Sequence, residues 1–408
     1  MADEGLLPGL TIVGLPTRNE AKTIAAVAQV ADEGIAAVCA HDGRSGGTIV
    51  LADNGSTDET VERFRETALR SPSDVVLSPG SGTGKGTNVL ALVHRALELG
   101  AQRLVLLDGD LRSARPDWIA RLARAADGPQ PRMALPVYRR NRYEATSTNQ
   151  LVRPLLAAAY GSYLQQPIGG EFAFNRAFLE QVAGWPRPDS AQLYGIDVWL
   201  TANALRHGLT LAEVPLGRKL HNSPFPKILH LPQQVLDSLF HVIAETGVLR
   251  PAQPTDHQEP AVDELAVRQD AELVARINRS VRCYVEAHRA DIDLLFPSAR
   301  DLRQAPWGLL VTADQWPHLL ADAVQALAGG ELERSRDHLI ALCVNRVMTY
   351  WTEIEGLDTA GVDALLHEQA CATARAVAER SIVFTAPPPA PSPFHPGRWL
   401  EYQAPVGV

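Results

Sequence analysis

One rhythm dominates the first half of the chain. Short β-rich runs at 10–16 (LTIVGLP), 47–53 (GTIVLAD), 74–78 (DVVLS), 103–110 (RLVLLDGD) and 133–138 (MALPVY) alternate with amphipathic stretches at 20–32, 58–70, 86–99 and 115–126. Strand-like runs separated by helix-period segments imply right-handed βαβ units, because parallel strands need a crossover whose helix packs back onto the sheet. The expected architecture is an α/β fold with a mainly parallel sheet and helices on both faces. Ligands of such sheets collect at the carboxyl ends of the strands. The loops after Pro16, Asp53, Ser78 and Asp108 should therefore share one crevice.

The rhythm changes near residue 151, where LVRPLLAAAYGSYL reads as helix, PIGGEFAFNRAFLEQV as a short strand and helix, and GLTLAEVPLGRKLH as a further strand with an edge loop. Proline and acidic residues over 249–264 read as a linker. Helical spacing then returns at 264–292, 313–328, 330–355 and 360–380, before a proline-rich tail. The expected organisation is an α/β domain over 1–250, a linker at 251–263, an all-α module over 264–385 and a tail at 386–408. The α/β domain would itself fall into two halves, one to about 140 and one over 141–250. The module's apolar faces exceed what one small bundle needs, which points to a homodimer or to contact with the α/β domain.

A formal charge of −9 over 408 residues argues against a nucleic-acid-binding surface. No apolar run reaches the roughly 18 residues of a membrane helix, and MADEGLLPG has acids where a signal peptide has bases. A cytoplasmic protein without a membrane span is expected. Cys39, Cys283, Cys343 and Cys371 form no CxxC pair and read as buried free thiols.

Asp108 and Asp110 flank one glycine where an apolar strand stops. Carboxylates so placed suit a hard divalent cation that keeps positions for phosphate oxygens, although Asp-Gly is also an ordinary turn. The loop Pro16-Thr17-Arg18-Asn19-Glu20 precedes a helix, whose free N–H groups suit a ribose or base as well as a simple cap. In DNGSTDET, Ser56 and Glu59 have capping-box spacing, which leaves Asp53 unexplained. SPGSGTGKGTNVL is not a P-loop, since Pro79 stands where a glycine is needed and Gly86 where a hydroxyl is needed. What remains is a glycine loop with Lys85, able to approach phosphates or simply solvated.

Together, PTRNE, DNGSTD, GKG and DGD resemble, in order, the strand-end motifs of the nucleotide-diphosphate-sugar glycosyltransferases with the GT-A fold. Downstream, PIGGE, YGID, LGRKLH and LPQQV are similar to the retaining enzymes that make mannosylglycerate and glucosyl-3-phosphoglycerate, and NRVMTYW (345–351) to the helical appendage of the former. The resemblance implies a Rossmann-like sheet and transfer of a hexosyl group from GDP-mannose or UDP-glucose to a small hydroxylated acceptor. It implies Mg²⁺ or Mn²⁺ held by Asp108, Asp110 and His221. Donor contacts would come from Pro16, Thr17, Asn19, Glu20, Asp53, Lys85, Asp108, Gly169 and Gly170. Asp197 and Glu171 would carry the chemistry, with Asp197 as a helix cap for the alternative.

Acceptor contacts are expected from Arg139, Thr148, Tyr194 and Asn222. Where the phosphoglycerate enzymes have arginine in an R-x-T pattern this chain has Thr146, and after the metal histidine it has Asn222. Loss of positive charge at both places favours glycerate over 3-phosphoglycerate. A sugar or aminocyclitol of secondary metabolism is the alternative acceptor, with Arg139, Arg140, Arg142 or Arg153 left to meet a phosphate if there is one. A sugar-phosphate nucleotidyltransferase is a weaker reading, because its glycine-rich signature would follow the first strand, where PTRNEAKT stands.

Overall fold

The structure is a computed structural model, and it describes residues 9–42, 46–78, 84–221, 231–251 and 271–384. The chain divides into two compact units. The first comprises the described residues of Met1–Arg139 and Gln166–Pro224, the second those of Arg140–Gln165 and Phe225–Val408. The expected boundary at 250 is not where the chain divides. Segment 140–165 and the helix at 231–246 pack with the C-terminal helices, through contacts such as Trp316 Nε1 donating to Gln150 O at 2.7 Å. The expected linker lies almost wholly outside the described residues, and the tail entirely so.

In the first unit, β1 (Thr11–Thr17), β2 (Gly47–Asp53), β3 (Ser73–Leu77), β4 (Arg103–Leu106), β5 (Arg132–Arg139), β6 (Ala173–Asn175) and β7 (Thr210–Arg218) form one sheet in the order β3-β2-β1-β4-β6-β5-β7. β1 is parallel to β2 and β4, β2 to β3, and β5 to β7, whereas β6 runs antiparallel between β4 and β5. The central strands are apolar on both faces, as a sheet covered on both sides requires. On one face α1 (Ile24–Asp42) and α4 (Pro116–Ala125) bury Ile24, Val27, Trp118 and Leu122 against Val13, Leu15 and Val105. α3 (Lys85–Glu98) covers the opposite face with α6 (Arg176–Val182) and α7 (Ile196–Arg206), and α2 (Thr60–Glu66) follows β2. The mixed, mainly parallel sheet with helices on both faces is the expected fold class.

The second unit holds α5 (Arg153–Tyr160), α8 (Leu231–Thr246), α9 (Ala271–Ala287), α10 (Arg289–Leu295), α11 (Trp316–Ala328), α12 (Leu332–Glu353) and α13 (Thr359–Glu379). A short hairpin of β8 (Gln304–Ala305) and β9 (Gly308–Leu309), not foreseen, interrupts the helices. Arg346 of α12 is fully buried and donates to Glu353 Oε2 at 2.6 Å and Val311 O at 3.1 Å, so its charge is paired. Cys343 and Cys371 are buried as expected, but Cys39 and Cys283 are only partly so. Among the described residues no helix is long and apolar enough to cross a membrane.

Candidate active site

Four parallel strands deliver their ends to one edge, and the loops there are stitched together. Asn54 N donates to Thr17 O at 3.3 Å, Asn88 Nδ2 to Thr17 O at 2.9 Å and Asn54 Nδ2 to Gly84 O at 2.9 Å. The expected shared edge is present. Its motifs partly serve the stitching itself. Asn19 adopts φ +58°, and its Oδ1 accepts from Thr57 N at 2.8 Å. Glu20 N donates to Thr60 Oγ1 at 2.8 Å, Thr17 Oγ1 to Ala52 O at 3.2 Å, and Pro16 is buried within β1.

The expected capping box is absent. Ser56 instead donates through N and Oγ to Asp53, at 2.9 and 2.5 Å, while Glu59 pairs with Arg63 at 2.7 Å. Asp58, accepting from Thr60 N at 3.1 Å, holds the start of α2. Ser56 therefore explains Asp53, whose buried carboxylate already has partners.

β4 ends at Leu106, sooner than its apolar sequence suggests, and Leu107 N still donates to Gly14 O at 3.0 Å. The glycine between the two acids has a steric cause. A Cβ on Gly109 would lie 2.4 Å from Thr17 Cγ2, so only glycine lets the DGD turn cross the end of β1.

Beyond that crossing the charges gather. Lys85 Nζ lies 3.0 Å from Asp108 Oδ1 and 3.3 Å from Asp197 Oδ2. Lys219 Nζ lies 3.3 Å from Asp108 Oδ2, 2.8 and 2.7 Å from the two Glu171 oxygens and 3.0 Å from Gly169 O. Tyr138 OH closes the chain on Glu171 Oε2 at 2.5 Å. Asp197 Oδ1 is buried without a hydrogen-bond partner among the described residues, so it is an acceptor to spare. Gly170, at φ +98°, rests on this cluster, since a Cβ there would lie 2.9 Å from Asp108 Oδ2 and 3.1 Å from each lysine Nζ.

Burial acts to lower the Lys85 pKa, but the carboxylates of Asp108, Asp197 and Glu171 outweigh it and hold the ammonium charged far above the usual lysine range. Burial pushes Asp108 up, and Lys85 with Lys219 overcome it, keeping that carboxyl well below the ordinary range. Burial with the Asp108 charge raises Glu171 to about 7 against the pull of Lys219. Burial also raises Asp197, with Lys85 opposing.

The expected three-residue metal set is not assembled. Both Asp108 oxygens face ammonium groups, and among the described residues no three metal-ligating side chains cluster. Asp110 and His221 remain a carboxylate and an imidazole on segments bonded to each other, through Arg112 N to Leu220 O at 2.9 Å and Arg112 Nη2 to His221 O at 2.8 Å. That donor pair fits a divalent ion completed by phosphate oxygens and water.

Glu171 is fully buried, and its carboxylate accepts from Lys219 and Tyr138. Of the acceptor candidates, Arg139 is exposed at the end of β5, Tyr194 is partly buried ahead of α7, and Thr148 belongs to the second unit, where it is buried. Asn222 lies outside the described residues. Lys219 was not among the expected site residues, although it stands inside LGRKLH; its place directly after the strand and two residues before His221 was the available signal.

A family model for the glycosyltransferase domain of mannosylglycerate synthase matches residues 17–229. The curated mannosylglycerate synthase of Rhodothermus marinus is 28% identical over 148 residues, which spans 35% of this chain and 36% of that enzyme. Crystal structures of glucosyl-3-phosphoglycerate synthase from Mycobacterium tuberculosis are also similar. The complex with Mn²⁺, UDP and phosphoglyceric acid is 23% identical, covers 58% of this chain and 79% of that one, and has a TM-score of 0.47. The complex with Mn²⁺, UDP-glucose and phosphoglyceric acid is 25% identical, with coverages of 58% and 80% and a TM-score of 0.46. With more than half of its residues matched, across every strand-end loop of the site, the chain belongs to the mannosylglycerate synthase family.

Proposed function

We propose that this chain is a retaining glycosyltransferase that moves a hexosyl group from a nucleoside diphosphate sugar, GDP-mannose or UDP-glucose, to a small unphosphorylated acceptor of the glycerate type. The observation that carries the reading is the Asp197–Lys85–Asp108 cluster at the carboxyl edge of the sheet, in a chain of this family. Breaking the anomeric C–O bond leaves negative charge on the diphosphate and an oxocarbenium-like sugar. Lys85, held charged at the first residue of α3, answers the diphosphate charge. The spare Oδ1 of Asp197 accepts a hydroxyl of the donor sugar or of the acceptor. A divalent ion on Asp110 and His221 would supply further neutralisation of the leaving group.

The acceptor preference rests on the arginines. Arg153 is buried and donates to Leu164 O and Gln165 O, at 3.1 and 2.9 Å through Nε, and Arg142 donates to Leu357 O. Two of the four arginines named for an acceptor phosphate are thus engaged in the second unit. Incubation with GDP-mannose or UDP-glucose, Mg²⁺ or Mn²⁺, and glycerate or 3-phosphoglycerate, read by mass spectrometry, tests the assignment. A hexosylglycerate is the expected product, and a hexosyl-phosphoglycerate formed in preference would refute the acceptor class.

A further inference from the structure

Lys219 is the buried charge that the proposed reaction does not use. It stands just past β7, and its ammonium faces both Glu171 oxygens, Gly169 O and Asp108 Oδ2, with the Tyr138 ring centroid 5.5 Å away. An ammonium has three N–H donors, and these protein acceptors occupy them. Its side chain is 6% exposed, so it is shielded from direct contact with a ligand.

Lys85 is placed differently. Among the described residues its ammonium has two carboxylate partners, at 3.0 and 3.3 Å, and it projects from the first turn of α3 at the sheet edge. Asp108 is divided between the two lysines, Oδ1 to Lys85 and Oδ2 to Lys219. The division matters energetically. In a poorly hydrated site a carboxylate with one ammonium partner grips it much harder than a carboxylate whose charge is shared.

We infer that Lys219 is a positioning residue that keeps Lys85 available to a diphosphate: by taking Glu171 and one oxygen of Asp108, it stops Asp108 from closing on Lys85 alone. The inference deepens the donor-site reading and rests on it. Lys219 acts through Lys85, so its effect belongs to the β-phosphate and not to the base or ribose. A substitution that spoiled the fold would weaken nucleoside monophosphates as well.

The test is isothermal titration calorimetry of UDP, UMP, GDP and GMP in EDTA, which leaves the ammonium groups as the counter-charges. Wild type, K219M, K85M, K219M/K85M and K219R are compared. Wild type is expected to prefer a diphosphate to its monophosphate. K219M should reduce that preference about tenfold, with monophosphate affinity changed less than about twofold. K85M should abolish the preference, and adding K219M should then change nothing. K219R should retain it. If K219M fails to fold by circular dichroism, K219Q carries the same comparison.

Two results would overturn the role of Lys219. One is an unchanged preference in folded K219M, or K219Q; the other is an equal further loss in the K85M background. A wild type that prefers neither diphosphate contradicts the donor reading itself, and the two failures are thereby told apart.

Discussion

Replacing Lys85 by methionine should destabilise the chain, by an amount that depends on pH. The change leaves Asp108 with Lys219 at 3.3 Å, but takes from Asp197 the ammonium at 3.3 Å while its Oδ1 already has no partner among the described residues. At an effective dielectric of about 20, the lost attraction at that separation is on the order of 5 kcal/mol, and relaxation brings the net cost to about 3 kcal/mol.

The sign of the pH dependence follows from Asp197. Its folded pKa lies above the ordinary value because of burial, so the native state binds more protons and its stability contribution is lost as pH rises through that pKa. Removing Lys85 raises the folded pKa further and extends the loss to higher pH. Lys85 itself, held above the lysine range, stays charged across the same window. The deficit of K85M should therefore be smallest in acid and grow as pH rises above the ordinary aspartate range. Urea unfolding followed by circular dichroism measures it for wild type, K85M, D197N and K85M/D197N. The double variant should be more stable than K85M at pH 8. A deficit constant from pH 5 to 8, or a double variant no better than K85M, would refute the reasoning.

Four further outcomes are expected. G170A should cost about 1–2 kcal/mol for its left-handed backbone and also weaken UDP or GDP binding, because its Cβ presses on Asp108 and both lysines. G208A, at φ +65° with nothing within 4 Å, should show the backbone cost alone in melting curves and leave titrations unchanged. D110A should fold normally and lose Mn²⁺ binding by electron paramagnetic resonance, and retained binding would remove Asp110 from the metal assignment. Asp32 accepts from Arg70 N and Ser71 N at 3.1 and 2.8 Å. Burial opposes these bonds, but they hold its carboxyl down at about 2. Its folded pKa lies below the unfolded one, so its contribution is present above the ordinary aspartate range and lost as pH falls toward 2. D32N should cost about 2 kcal/mol at pH 7, with the gap to wild type closing near pH 2–3 in denaturant titrations.

The sheet was legible because buried parallel strands are continuous apolar runs, and β1, β2, β3 and β5 fall within a residue of the expected ranges. β4 was overextended because Leu107 continues the apolar pattern, whereas the ladder stops where Gly109 must cross Thr17. Asp108, Lys85 and Asp197 were found as separate motifs, and the structure brings both carboxylates within 3.3 Å of the Lys85 ammonium. What the motifs could not convey was who neutralises whom. Lys219 joins Asp108 and Glu171 across more than forty positions of sequence, a pairing set by tertiary packing and not by local spacing. The same holds for the boundary at 250, since α8 and segment 140–165 look like continuations of the α/β domain until their apolar faces find α11, α12 and α13.

The most direct test of the account is to ask which phosphate product appears. Wild-type protein is incubated with GDP-mannose or UDP-glucose, glycerate and Mg²⁺ or Mn²⁺, and in parallel with the nucleoside triphosphate and sugar 1-phosphate. Release of GDP or UDP matched one for one by a new hexoside, in the first mixture alone, is the predicted result. Pyrophosphate from the second mixture, with the sugar nucleotides of the first left intact, would contradict it.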